Sequence, residues 1–375
     1  MKILHIETGR HLYGGALQVC YLLEGLAQRG VENHLVCTAN SEISRTAAPF
    51  ASIHAMLMHG ELDLAFPVRL LRLVQRLRPD VLHVHSRRGA DLWTGICGRM
   101  SGVPTVITRR VDNREWLPFA RVKYGSYDRI VTISEGIRQV LLSEGLASDR
   151  VTCIHSVVKF ELYQEQKNRG WFAEQFGVPV TAPLVGVIAQ LIPRKGHRYL
   201  LEILPRLQTR FPNLQVVFFG QGPLRAELEA YVAEHELAEV VTFAGFRKDM
   251  HKILPCLDLV VHPALMEGLG VALLQAAAAG VPIVGARAGG IPEVVRDGLN
   301  GRLVEPGNTE QLYGAVSELL GNSVLAQQFG AAGREVVLRD FSVDAMVDQY
   351  VKLYRKLLDE YGNLEKPWGQ DAQHR

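Results

Sequence analysis

Four short glycine-bearing stretches of this 375-residue chain, three of them with cationic or acidic residues, are patterned for phosphate and hydroxyl chemistry. Tyr13-Gly14-Gly15-Ala16 follows an apolar run and opens a segment of helical periodicity. Glycines at such a mouth let backbone N–H groups approach an anion at a helix N-terminus. They equally suit a tight turn. Ala189-Gln190-Leu191-Ile192-Pro193-Arg194-Lys195-Gly196-His197 sets two adjacent cations just after another apolar run. The carboxyl ends of parallel strands are where open α/β sheets take ligands, although a basic pair in a loop is commonly just solvated.

In His262-Pro263-Ala264-Leu265-Met266-Glu267-Gly268-Leu269-Gly270-Val271, the two glycines leave backbone amides open to a phosphate. A helix starting there adds about half a positive charge. Glu267 sits among apolar neighbours, where an acid needs a partner such as a sugar hydroxyl or a base; it also reads as a plain first-turn acid. Ala288-Gly289-Gly290-Ile291-Pro292-Glu293 is good helix-start sequence and by itself mostly structural. None of the four is Gly-x-Gly-x-x-Gly. The second apolar run ends at Cys37-Thr38 with no acid to hold a ribose, so a nicotinamide dinucleotide is disfavoured.

These stretches must be positioned by a regular scaffold, and the hydrophobic pattern supplies one. Apolar runs occur at Ile3–Ile6, His34–Cys37, Val81–Val84, Thr105–Thr108, Ile130–Ile133 and Val151–Ile154. They recur at Leu184–Ile188, Leu214–Phe219, Val240–Phe243, Leu257–Val261 and Val281–Val284. Short, β-branched and not alternating, they suit parallel strands covered on both faces. Amphipathic stretches such as Leu17–Arg29, stopped by Gly30, lie between them. The expectation is an α/β doubly wound, Rossmann-like fold occurring twice. A polar stretch, Gln164 to Gly170, divides the chain into 1–170 and 171–341, with a cleft between domains as the default ligand site. A last helix is expected over about 342–361, carrying Met346, Tyr350, Leu353, Tyr354 and Leu357, and a polar tail over 362–375.

Composition narrows the function classes. The chain is 47% hydrophobic and 21% charged, which excludes wholesale disorder. A net charge of +2 gives no reason to expect nucleic acid. The charge is uneven, however: residues 1–160 hold 20 Lys+Arg against 14 Asp+Glu, a balance of +6, and the rest carries −4. The front half is therefore expected to face something anionic. Five scattered cysteines with no Cys-x-x-Cys pair read as core residues in a reducing compartment, with no zinc site. Met1-Lys2 runs through Ile3–Ile6 into Glu7, too short an apolar core for an export signal, so a cytoplasmic location is expected. Gly268–Gly285 is interrupted by Gln275 and Pro282 and reads as a helix and a buried strand, not a membrane span.

Taken in order and spacing, the four stretches resemble the retaining GT-B glycosyltransferases of family 4, over nearly the whole chain. Arg194-Lys195-Gly196, Glu267-Gly268-x-Gly270 and Gly289-Gly290-Ile291-Pro292-Glu293 carry the likeness most specifically; Gly14-Gly15 and Ile133-Ser134 fit less sharply. The resemblance implies two Rossmann-like domains facing across a cleft, acceptor-binding in front and donor-binding behind, with the last helix crossing back to the front domain. It implies Gly14 and Gly15 near the donor phosphates, Lys195 on the diphosphate and Glu267 on the donor sugar. It further implies that the amides of Leu269, Gly270 and Val271, after Gly268, support the β-phosphate. Three positions depart from the family pattern: Gln275 replaces the usual ribose-binding glutamate, Gln190 replaces an arginine for which Arg194 is the candidate substitute, and Arg109-Arg110 stand where a histidine is common.

The implied activity moves a sugar from a UDP- or GDP-linked donor to a cell-envelope glycan or lipid-linked acceptor of lipopolysaccharide or capsule type. The implied catalytic residues are Lys195, Glu267 and Arg194. No cofactor is expected, and no Asp-x-Asp motif stands where a metal-dependent transferase would need one. In the front half, His85, Arg87, Arg88, Arg109 and Arg110 are the candidates for an anionic acceptor or an anionic inner-membrane lipid, by peripheral contact. His83 reads as a packing residue. Two other readings stand beside this one: a nucleotide-sugar 2-epimerase of the same fold, and a non-catalytic nucleotide-sugar or glycan binding module.

Overall fold

The computed structural model describes residues 1–9, 12, 14–60, 63–85 and 89–362, except for the side chains of residues 117–119. It divides into two compact units, Met1–Ser156 with Val343 onward, and Val157–Ser342.

In the first unit the strands are β1 (Lys2–Glu7), β2 (Glu32–Cys37), β3 (Ser52–Ala55), β4 (Val81–Val84), β5 (Thr105–Arg109), β6 (Arg129–Thr132) and β7 (Val151–Cys153). They form a parallel sheet of order β3-β2-β1-β4-β5-β6-β7. The order reverses between β1 and β4, where His5 stands beside His83. Of the strands, β3 escapes the sequence pattern. Its Ser-Ile-His-Ala is a half-exposed edge with too few apolar residues to make a run.

The last helix, Val343–Gly362, belongs to this unit as the resemblance implies. It packs on the helix Gly14–Gln28 so closely that a Cβ on Gly25 would lie 2.4 Å from Val347 Cγ2. Met346, Val347, Tyr350, Tyr354 and Leu357 are buried, each such apolar side chain contributing roughly 1.5–3 kcal/mol. Arg29 pairs with Asp344 and Asp348 at the helix start.

In the second unit β8 (Leu184–Ile188), β9 (Gln215–Phe219), β10 (Val241–Gly245), β11 (Leu259–His262), β12 (Ile283–Ala286) and β13 (Gly301–Val304) lie in the order β10-β9-β8-β11-β12-β13. Again the sheet is parallel, and its order reverses between β8 and β11. The edge strand β13 was hidden in sequence by the turn residues before it.

The division of the chain falls at Ser156/Val157 and not near residue 170. The polar stretch that suggested the later boundary is tied down. Gln164 Nε2 donates to Ala278 O at 3.1 Å, and Lys167 and Arg169 both pair with Asp258, which also accepts from Leu184 N. Polarity there reflects an ion-paired seam, not a linker. Four of the five cysteines are buried and, among the described residues, none is in a disulfide, as a set of core residues should be.

Candidate functional site

The second unit gathers three of the four stretches where its sheet reverses, the position at which open α/β sheets bind ligands. After β8 the chain makes a 3-10 turn, Pro193–Lys195, and Gly196 follows at φ 67°. A Cβ there would fall 2.0 Å from Pro263 O, so only glycine allows this loop to close on the loop after β11. Arg194 O completes the junction by accepting from Leu265 N at 2.8 Å.

The result is contact between residues 72 apart in sequence: Lys195 Nζ lies 2.5 Å from Glu267 Oε2. His262, the last residue of β11, places Nε2 at 2.8 Å from the same oxygen, and Gly268 N donates to Oε1 at 3.0 Å. From behind, Gly290 N donates to Glu267 O at 3.1 Å. Gly289, at φ 51°, lies so near that a Cβ would stand 1.8 Å from that carbonyl. The fourth stretch thus pins the third.

Burial alone would raise the Glu267 carboxyl. The hydrogen bond with His262, then the Lys195 ammonium, outweigh it and hold the group well below the usual carboxylate range. His197 is pushed down to about 4, first by burial and then by His262 and Lys195. Both of its ring nitrogens are buried without a hydrogen-bond partner.

Around this pair, Gly268, Leu269 and Gly270 are buried, and Val271 opens the helix Val271–Ala278 behind Gly270 at φ 92°. First-turn amides have no intrahelical partner, so this end is a ready anion seat. Arg194 is half-buried, Gln190 is exposed at the head of its loop, and Gln275 is half-buried on the same helix.

The first unit brings together a different set. Gly14 and Gly15 start the helix Gly14–Gln28. Arg110 lies against Gly15, its Cδ 3.3 Å from where a Gly15 Cβ would be, and its enclosed Nε has no partner. His85 is buried, with Nε2 3.1 Å from His5 Nδ1 and its own Nδ1 unpartnered. His83 bonds Tyr354 Oη at 2.6 Å and Thr108 Oγ1 at 2.7 Å, the packing role read from sequence. Burial pushes His5 down to about 3 and holds His83 and His85 well below the ordinary histidine value. His5, His83 and His85 lie close enough to share a metal ion. Both His83 nitrogens are already engaged, however, so the trio fits a hydrogen-bonded neutral cluster better than a ligand set.

Arg109 needs correction. Expected at the acceptor site, it is buried and turns inward. Its guanidinium pairs with Glu115 and donates to the Val111 and Asn113 carbonyls, beside Lys123, which is itself held by Asp91 and Glu115. Arg109 braces its own loop. Arg87 and Arg88 fall outside the described residues.

Sequence reasoning assigned no role to His262. The available signal was a histidine closing a strand five residues before the acid it bonds.

Residues 13–162 match the family model of Glycosyltransferase Family 4, and residues 171–336 that of Glycosyl transferases group 1. A lipopolysaccharide core biosynthesis glycosyltransferase, LpsE, from Rhizobium meliloti is 26% identical over 360 residues, covering 94% of this chain and 98% of that relative. Anabaena HepE, solved in complex with UDP, superposes with a TM-score of 0.84 at 18% identity, over 95% of this chain and 100% of that one. The lipopolysaccharide outer core galactosyltransferase WaaB, in its apo form, gives 0.72 at 15% identity, covering 95% of this chain and all of the other. At those identities the structural likeness speaks for the fold.

Proposed function

Since the chain belongs to the GT-B glycosyltransferases of the family 4 type, we propose that it is a retaining, metal-independent transferase carrying a hexose from a UDP- or GDP-linked donor to a cell-envelope glycan or lipid-linked acceptor. One observation carries the reading: a buried lysine and a half-buried glutamate meet beside the N-terminus of a helix, at the reversal point of a parallel sheet. That is a place where a diphosphate can be held and its departure from a sugar assisted.

The chemical difficulty is breaking an anomeric C–O bond as charge grows on the β-phosphate. Fixed positive potential at that oxygen lowers the barrier. Lys195, Arg194 and the amides of Leu269, Gly270 and Val271 supply it here, while the Gly268 amide stays on Glu267 Oε1. In the structure Glu267 pairs with Lys195. A bound diphosphate takes the ammonium over, and the released carboxylate oxygen is then available to accept from a donor-sugar hydroxyl. Gln275 hydrogen-bonds the ribose diol as a neutral amide, and Gln190 borders the same loop. The acceptor hydroxyl is delivered on the face the phosphate leaves, so positioning carries much of the remainder.

In the first unit, the helix start at Gly14 and Gly15, with Arg110 beside Gly15, serves phosphate recognition. His85, Arg110, Arg87 and Arg88 recognise an anionic acceptor. Among the described residues no helix is long and apolar enough to cross a membrane. The protein works in the cytoplasm and touches the anionic inner leaflet peripherally through the segment 114–122, in which Trp116 (76% exposed), Val122 (68% exposed), Arg114 and Arg121 are all exposed. The LpsE and WaaB relatives, and the HepE complex with UDP-glucose, support this choice of donor and acceptor class.

A thermal-shift and calorimetric screen of UDP, GDP and ADP and their sugars tests the proposal, since a ligand stabilises the folded chain according to its affinity. A stabilising nucleotide sugar that is also turned over is expected. Binding of UDP or GDP with no turnover of any donor would point to a binding module and overturn the transferase reading.

A further inference from the structure

Glu267 is held by more than its lysine. Oε2 receives two donors, Lys195 Nζ at 2.5 Å and His262 Nε2 at 2.8 Å, while Oε1 receives Gly268 N. His262 is 2% exposed, and its backbone is fixed in register with Gly285 of β12, so it belongs to the rigid sheet and not to the loop. Lys195 sits on a 3-10 turn at the end of a long flexible stem. The two donors therefore differ in what they can do. When a phosphate draws Lys195 away, leaving Oε2 with no donor would be costly. His262 remains.

We propose that His262 is a positioning residue: its Nε2–H keeps the Glu267 carboxylate aimed at the donor sugar while Lys195 is engaged by the diphosphate. This rests on the donor-site reading above. His262 does not touch substrate; it acts through Glu267. The charged and titratable groups facing it are Lys195 from the loop after β8, His197 from the helix that follows, and Glu267 itself. Its Nδ1 is buried and unpartnered, so the ring is poised to donate from Nε2 alone. Separating the two carboxylate donors also separates two tasks. Loss of His262 should spare recognition of a nucleoside diphosphate, which has no sugar, and damage the step in which the sugar must be held as the phosphate departs.

The test compares H262F, which keeps a flat ring of similar size without a donor, with H262Q, whose amide N–H reaches about the Nε2 position, and H262N, which is one bond too short. UDP and GDP affinities are measured by calorimetry. kcat and KM come from release of UDP from UDP-glucose and GDP from GDP-mannose, taking whichever the unmodified protein turns over faster. Losing a hydrogen bond to a charged group in the transition state corresponds to about a 10- to 100-fold fall in kcat. H262F should show that fall, with nucleotide Kd changed by less than about threefold, since Glu267 is not a diphosphate ligand. H262Q should regain most of the rate and H262N should not. A purely structural role would lower Tm and weaken UDP or GDP in step with kcat, and would overturn the proposal, as would an H262F of unchanged kcat or a failure of H262Q to rescue. Should H262F not fold, the contrast between H262Q and H262N decides the matter. If the unmodified protein binds neither nucleotide, the donor-site reading fails first, and that failure is visible before any variant is made.

Discussion

Replacing Lys195 by methionine removes an ammonium while keeping the stem, and the structure makes the expected effect unequal between binding and catalysis. In the structure Lys195 is already paired, 2.5 Å from Glu267 Oε2. Binding a diphosphate exchanges one charge-assisted partner for another, so the ground-state gain is a difference of two similar terms. UDP or GDP affinity in K195M should therefore weaken only about three- to tenfold. The transition state differs, because charge accumulates on the phosphate oxygen and not on the carboxylate. Loss of a donor aimed at such charge costs about 2.7–4 kcal/mol, or about 100- to 1000-fold in kcat. Folding should suffer less than when a buried charge is orphaned, about 3–5 kcal/mol, because His262 and Gly268 still hold Glu267. The assay is steady-state release of nucleotide from the donor, alongside calorimetry with the free nucleoside diphosphate. A K195M enzyme with kcat within about fivefold of the parent refutes the reasoning. So does a loss of affinity as large as the loss of rate, since Lys195 would then be an ordinary anchor.

Acid should loosen the first unit through His5, His83 and His85. Their folded pKa values lie below the unfolded value of about 6.5, so the stability they contribute is complete above that pH and is lost as pH falls toward the folded values. At pH 5.5 each unfolded histidine gains about 1.4 kcal/mol by protonating, or about 4 kcal/mol for the three. Urea midpoints at pH 7.5 and 5.5 that coincide would contradict this. Gln275→Glu should keep or tighten UDP or GDP binding if the side chain meets the ribose diol, since a carboxylate accepts from both hydroxyls; a loss of about fivefold or more by calorimetry removes Gln275 from the ribose. Finally, W116S combined with R121E should reduce co-sedimentation with phosphatidylglycerol vesicles at low salt by about tenfold. Equal binding by the parent and the double variant would place the lipid contact elsewhere or nowhere.

The repeated parallel architecture was legible in the amino-acid order because a strand covered on both faces must be apolar throughout, and runs such as Leu184–Ile188 show it directly. The glycine and cation stretches were legible too, since close approach to an anion demands particular residue types after a strand. Edge strands β3 and β13 were not, because an edge is half-solvated and leaves a weaker imprint. Nor could sequence say what Arg109 and Arg110 do. They are neighbours at the end of β5, yet one turns to Glu115 and the other lies against Gly15. Alternation separates adjacent side chains, but with both faces of the sheet covered it does not tell which partner each will find. The pairing of Lys195 with Glu267, and the presence of His262 beneath them, depended on two loops 72 residues apart converging where the strand order reverses. Residue types are local, while proximity across a sheet is made only by the folded chain.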